Sequence, residues 1–80
     1  MIRLLVVEDE RSLRQVVCGY LGARGFAVDG FADAKEALAA METVSYGMII
    51  SDIMMPGMDG VEFAAAVRAS DKRIPILFMT

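Results

Sequence analysis

The 80-residue chain contains no histidine. That excludes histidine-activated nucleophiles, phosphohistidine chemistry and imidazole metal ligands from these residues. A single cysteine, Cys18, permits no internal disulfide and fits a reducing compartment. It falls inside a helical pattern, where a small packing residue is the plain reading. There is no basic run, and 8 Lys and Arg against 11 Asp and Glu leave a net charge of −3. No nucleic-acid contact is therefore expected within these residues. No apolar stretch approaches the ~20 residues of a membrane span. The first one, residues 4–7, runs straight into Glu8-Asp9-Glu10 and does not read as a secretory signal. The expectation is a cytoplasmic chain with no membrane association. No internal repeat, low-complexity tract or linker is visible.

What is present is apolar and periodic. Hydrophobic residues make up 56% of the chain, as a domain that buries only a modest share of its surface requires. The length allows one domain at most. Residues 2–7 read as a first strand buried on both faces. Leu13, Val16, Val17, Tyr20 and Leu21 then follow helical spacing, with Gly22 and Gly25 as terminators. Residues 26–31 read as a short second strand. Asp33 with Glu36 is a capping signature for a second helix, whose apolar stripe is Ala34, Ala37, Leu38 and Met41. Residues 46–51 form a third strand that delivers Asp52. Pro56-Gly57 breaks the chain, and Asp59 with Glu62 repeats the capping signature for a third helix with Val61, Phe63, Ala64 and Val67 inward. Ile74-Pro75 opens a fourth strand over residues 76–79. Alternating strands and helices with short connections predict an α/β fold with a parallel, doubly wound sheet.

Glu8 and Asp9 follow the first strand and Asp52 follows the third. In open α/β sheets ligands bind beyond the carboxyl ends of the strands. If the first and third strands are neighbours, the three acids share one crevice. They repel there, and at least one pKa rises unless a cation enters. Mg²⁺ suits such oxygen donors, and a carboxylate can accept a phosphoryl group. The alternative is that these acids are solvated loop residues and helix caps, as Glu10 is expected to be.

The wording of the segments adds a resemblance. Leu4 and Val6-Val7-Glu8-Asp9-Glu10 resemble the opening of a response-regulator receiver domain, of the CheY-like kind used in two-component signalling. Asp52-Ile53-Met54-Met55-Pro56-Gly57-Met58-Asp59-Gly60 is similar to that family's phosphoacceptor segment. Thr80, ending an Ile-Pro-Ile-Leu-Phe-Met-Thr run, resembles its hydroxyl residue after the fourth strand. The segments are most similar to the transcription-regulator branch whose receivers precede a winged-helix DNA-binding domain. The resemblance implies a flavodoxin-like topology with strand order 2-1-3-4. It implies Asp52 as phosphoacceptor, with a sensor histidine kinase or phosphotransfer protein as donor. It implies Asp9 as a direct Mg²⁺ ligand, Glu8 through water, Asp52 itself, and the Met54 backbone carbonyl. Thr80 would hydrogen-bond the phosphoryl group. Helix one would be the kinase-docking surface, with Arg11 and Arg14 on its outer face. Met54, Met55 and Met58 divide between core packing and partner contact.

A complete receiver has five strands and five helices, so the resemblance predicts a partial receiver over residues 1–80, lacking the fourth helix, fifth strand and fifth helix. Continuation past Thr80 in the natural protein is expected. The family's strand-five lysine is among the absent parts, and neither Lys35 nor Lys72 is placed to replace it. Two functions follow. One is a phosphorylatable receiver that switches a transcriptional output. The other is a phosphorylation-incompetent interaction module, able to form homo-oligomers through the exposed edge of strand four. An enzyme of the aspartyl-phosphate phosphatase kind is not expected, because it needs a second Asp two residues after the nucleophile and Met54 stands there.

Overall fold

β-Branched and leucine-rich stretches become the strands. A computed structural model describes residues 1–71 and 73–79. Arg3–Val7 forms β1, Ala27–Phe31 β2, Met48–Asp52 β3 and Ile76–Met79 β4. Between them run α1 (Arg11–Ala23), α2 (Ala34–Met41) and α3 (Gly60–Ser70). All pairings are parallel and the order is β2-β1-β3-β4. The doubly wound expectation holds, with strand order 2-1-3-4. Thr80 and Lys72 lie outside the described residues.

The two-residue period of the strands separates the sheet into two faces. Leu5, Val7 and Ile49 point to one face, where Ala34 and Ala37 of α2 and Phe63 and Val67 of α3 close over them. All seven are buried, and Met55 and Ile74 complete the cluster. Leu4, Val6 and Ile50 point the other way and are buried as well. Helix α1 lies against β2 and β1.

Helix starts follow the sequence signatures. Asp33 accepts from the Glu36 N–H at α2. Asp59 and Glu62 form a reciprocal capping box at α3, each side chain accepting from the other's backbone N–H at 2.9 and 3.2 Å. Glu10 caps α1 by accepting from Ser12 and Leu13.

Three details differ from the sequence reading. Leu13, Val16 and Tyr20 are exposed, whereas Val17, Cys18 and Leu21 are half-buried. Helix α1 packs mainly on the β2–β1 half of the sheet, so one flank of its wide apolar stripe has little sheet beneath it. On α3 the buried line is Gly60, Phe63 and Val67, and Val61 is exposed. Close seating of Gly60 fixes the helix rotation, and residue 61 then falls about 100° away. Gly22 lies within α1; the chain leaves the helix through Arg24 to Gly25, whose φ of 96° is open to glycine.

A polar network ties β2 to the approach to β3. The Tyr46 hydroxyl donates to Asp29 Oδ2 at 2.7 Å, and Arg3 Nη1 donates to Asp29 Oδ1 at 2.9 Å. Burial first, and then the Asp29 carboxylate, push the Tyr46 phenol up to about 12. The fold thus holds this proton, and its stabilising effect is full below pH 10 and is lost as pH rises from about 10 to about 12. Tyr46→Phe is expected to cost about 1–2 kcal/mol at neutral pH. In urea titrations the gap between the two proteins should close across that alkaline interval; a gap independent of pH would show that the hydroxyl bond is not its source.

Candidate metal centre

The end of β1 and the end of β3 are adjacent. Val7 pairs with Ser51, so the following residues of each strand emerge side by side. One carboxylate oxygen each from Glu8, Asp9 and Asp52 lies within 4.8 Å of the others. Glu8 is buried, Asp52 is half-buried and Asp9 is exposed.

Glu8 is held at each of its polar groups. Its N–H donates to the Phe31 carbonyl at 3.0 Å. Its carboxylate accepts from the Glu10 N–H at 2.9 Å. Its carbonyl accepts from Arg14 Nη1 at 2.8 Å. Burial pushes the Glu8 carboxyl above the ordinary carboxylate range, the Glu10 N–H pulls it down, and Asp9 and Asp52 push it up again. This is the conflict expected of carboxylates crowded into one crevice.

The β3–α3 connection shapes the other side. Asp52 Oδ1 accepts from the Met54 N–H at 3.2 Å. Gly57 has φ of 79°, a left-handed turn that favours glycine. Gly60 donates to the Ile53 carbonyl at 2.8 Å. A Cβ at Gly60 would sit 2.8 Å from Ile53 Cα and run into the Asp52 carbonyl. The start of α3 therefore packs directly on the backbone that carries Asp52. Met55 is buried and Met58 half-buried against the core, while Met54 is 78% exposed. Lys35 sits on α2 and lines a cavity of about 210 Å³ with Asp33, Ala34, Pro56, Gly57 and Met58; none of the three clustered acids lines it.

The donor set fits Mg²⁺. It is all oxygen and all carboxylate, as a hard divalent ion prefers. Ligands of an octahedral Mg²⁺ are separated by roughly 3–4.2 Å at bond lengths near 2.1 Å. The 4.8 Å envelope is slightly wider, so a small turn of one carboxylate or an intervening water completes the fit.

Of the site residues expected from sequence, Glu8, Asp9 and Asp52 are brought together, Met54 follows them in the β3–α3 loop, and Thr80 lies outside the described residues. Arg14 differs from expectation. It is half-buried and bonded to Glu8, not free on the outer face of the helix. The signal in the sequence was a base six residues after an acid that ends a strand, close to the helix start; it was missed because helical periodicity alone does not say how far a long side chain folds back.

Strand order β2-β1-β3-β4 with acids gathered where it reverses, between β1 and β3, is that of a doubly wound α/β domain of the flavodoxin-like class, and the acids lie at the switch point where such folds bind ligands. The chain belongs to the response regulator receiver domain family, which its residues 4–80 match. It is thus a receiver domain of two-component response regulators, a family of signalling modules. It is 39% identical over 77 residues to the C4-dicarboxylate transport transcriptional regulatory protein DctD of Rhizobium meliloti, covering 96% of this chain and 17% of DctD. The structure is similar to that of the Vibrio cholerae chemotaxis protein CheY4, with a TM-score of 0.95 and 42% identity, covering 98% of this chain and 67% of that one. It is also similar to response regulator TrrA of Thermotoga maritima, solved in complex with Mg²⁺-BeF (TM-score 0.90, 36% identity, 95% of this chain and 66% of that one). TrrA is further known in complex with histidine kinase ThkA, and that structure matches with a TM-score of 0.93 and 35% identity over 100% of this chain and 69% of the other. Among the described residues no helix is long and apolar enough to cross a membrane.

Proposed function

We propose that this domain takes a phosphoryl group from a sensor histidine kinase or phosphotransfer protein onto Asp52, and so switches a transcriptional output. The observation that carries the reading is the convergence of Glu8, Asp9 and Asp52 within 4.8 Å at the ends of adjacent parallel strands. The kinase complex and the Mg²⁺-BeF complex of TrrA support it by analogy, and the name of DctD supports the output.

In this reading Asp9, Asp52 and the Met54 carbonyl would hold Mg²⁺ directly and Glu8 would hold it through water. The ion would neutralise charge on the phosphoryl oxygens and the acceptor. An oxygen of Asp52 attacks phosphorus, the phosphorus–nitrogen bond of the donor phosphohistidine breaks, and the electron pair stays on the imidazole. The Met54 side chain is a thioether with no acid or base to offer, and its exposed position lets it flank the phosphoryl group. Thr80 would donate a hydrogen bond to a phosphoryl oxygen. Residues 1–80 would be the first seven elements of the receiver, with a further helix, strand and helix completing it; the solved receivers match over about two thirds of their length.

The test is intact mass after incubation with acetyl phosphate, with and without Mg²⁺. A gain of one phosphoryl group only with Mg²⁺ is expected. A second reading, an interaction module working through β4, is favoured by the exposure of Leu77 and Phe78 on that strand, which has β3 as its partner among the described residues. It predicts no mass gain and a sedimentation mass that rises with concentration; a monomer at every concentration removes it.

A further inference from the structure

We propose that Arg14 is a positioning residue for the metal centre, an inference that rests on reading Glu8, Asp9 and Asp52 as the Mg²⁺ site. The geometry gives it an unusual anchorage for a helix-surface arginine. Its Nη1 donates to the backbone carbonyl of Glu8 at 2.8 Å, which is the peptide that joins Glu8 to Asp9. The stem reaches that carbonyl along β2. A Cβ at Gly30 would lie 3.3 Å from Arg14 Cγ, 3.5 Å from Cδ and 2.8 Å from Cys18 Sγ. The bare glycine therefore leaves the slot through which the arginine passes.

The consequence concerns orientation. The peptide between two candidate ligands has two soft dihedrals on either side. The Phe31 carbonyl holds the N–H of the preceding peptide, Val7–Glu8, and Arg14 holds the carbonyl of the Glu8–Asp9 peptide itself. Glu8 is thus pinned on both sides, and the Arg14 bond orients the plane from which Asp9 departs. Supporting contacts of this kind orient metal ligands, and losing one typically weakens metal binding by ~10–100-fold.

Charge alone predicts the opposite sign. Removing a cation beside three carboxylates should tighten the binding of another cation. The sign of the change therefore separates positioning from simple counter-charge.

The experiment is a calorimetric Mg²⁺ titration of the full chain, with urea unfolding in metal-free buffer run alongside. Arg14→Met keeps the apolar stem against Gly30 and loses the donor. It is expected to weaken Mg²⁺ binding by ~10-fold or more, while the metal-free protein still unfolds cooperatively. Arg14→Lys, which retains a charged donor, should recover part of the loss. Gly30→Ala, which crowds the slot with the arginine intact, should reproduce it. Arg11→Met is the charge control on the same helix and should leave the affinity unchanged. Unchanged or tighter binding in Arg14→Met overturns the proposal while the metal reading stands. If Arg14→Met fails to fold, Gly30→Ala and Arg14→Lys decide: affinities equal to that of the unaltered chain in both overturn it. Absence of Mg²⁺ binding by the unaltered chain overturns the metal reading and this proposal with it.

Discussion

Asp52→Asn is expected to reduce phosphoryl incorporation from acetyl phosphate to background. The amide oxygen of asparagine keeps the shape and can still accept the Met54 N–H, which Asp52 Oδ1 now accepts at 3.2 Å. It lacks the anionic charge and nucleophilicity of a carboxylate. The fold should survive, because the change is isosteric and Asp52 is only half-buried. In metal-free buffer the variant should unfold at slightly higher urea. The Asp52 charge is one of the causes that push Glu8 upward, and removing it relieves that repulsion. A variant that still gains a phosphoryl group would place the acceptor elsewhere.

Phe63→Ala is expected to cost about 3–5 kcal/mol, the usual range for emptying a fully buried phenyl site. Phe63 is 0% exposed and packs into the single cluster that joins α3 to β1 and β3. A domain of this length has roughly 4–12 kcal/mol of stability in total, at ~0.05–0.15 kcal/mol per residue. The substitution therefore removes from about a quarter to all of it. Because α3 begins against the backbone of Asp52 and Ile53, Mg²⁺ binding should fall together with stability. Val61→Ala on the exposed face of the same helix should change stability by no more than about 0.5 kcal/mol. Urea midpoints at constant slope are the measurement. Equal effects at the two positions would contradict the observed rotation of the helix.

Much of this architecture was legible in the residues. Asp33 with Glu36 and Asp59 with Glu62 announce two helix starts, because the orphan N–H groups of a first turn need such acceptors. The short β-branched runs gave each strand to within about two residues, the usual uncertainty at an element's end. The three acids were legible as a set because two of them follow one strand and the third follows another, and parallel neighbours end at the same edge. What escaped was rotation and reach. An apolar stripe on α1 does not reveal how much sheet lies beneath it, so Leu13, Val16 and Tyr20 read as inward and are exposed. On α3 the apolar pattern points to Val61, because valine is apolar and glycine carries no signal. Yet Gly60 is the residue that makes the close approach. Arg14 read as a solvated charge, since nothing in a helical period shows a guanidinium turning back to a strand-end carbonyl. The roles proposed for Glu8, Asp9 and Asp52 rest on resemblance, and the geometry supplies their proximity.

The most direct measurement is the position of the phosphoryl group. After incubation with acetyl phosphate, borohydride reduction marks an aspartyl phosphate permanently, and tandem mass spectrometry of the peptides locates it. The account predicts one marked residue, Asp52, in samples with Mg²⁺, and no marked residue when the metal is chelated. Marking at Asp9 or Glu8, or marking of Asp52 that is indifferent to Mg²⁺, would contradict it.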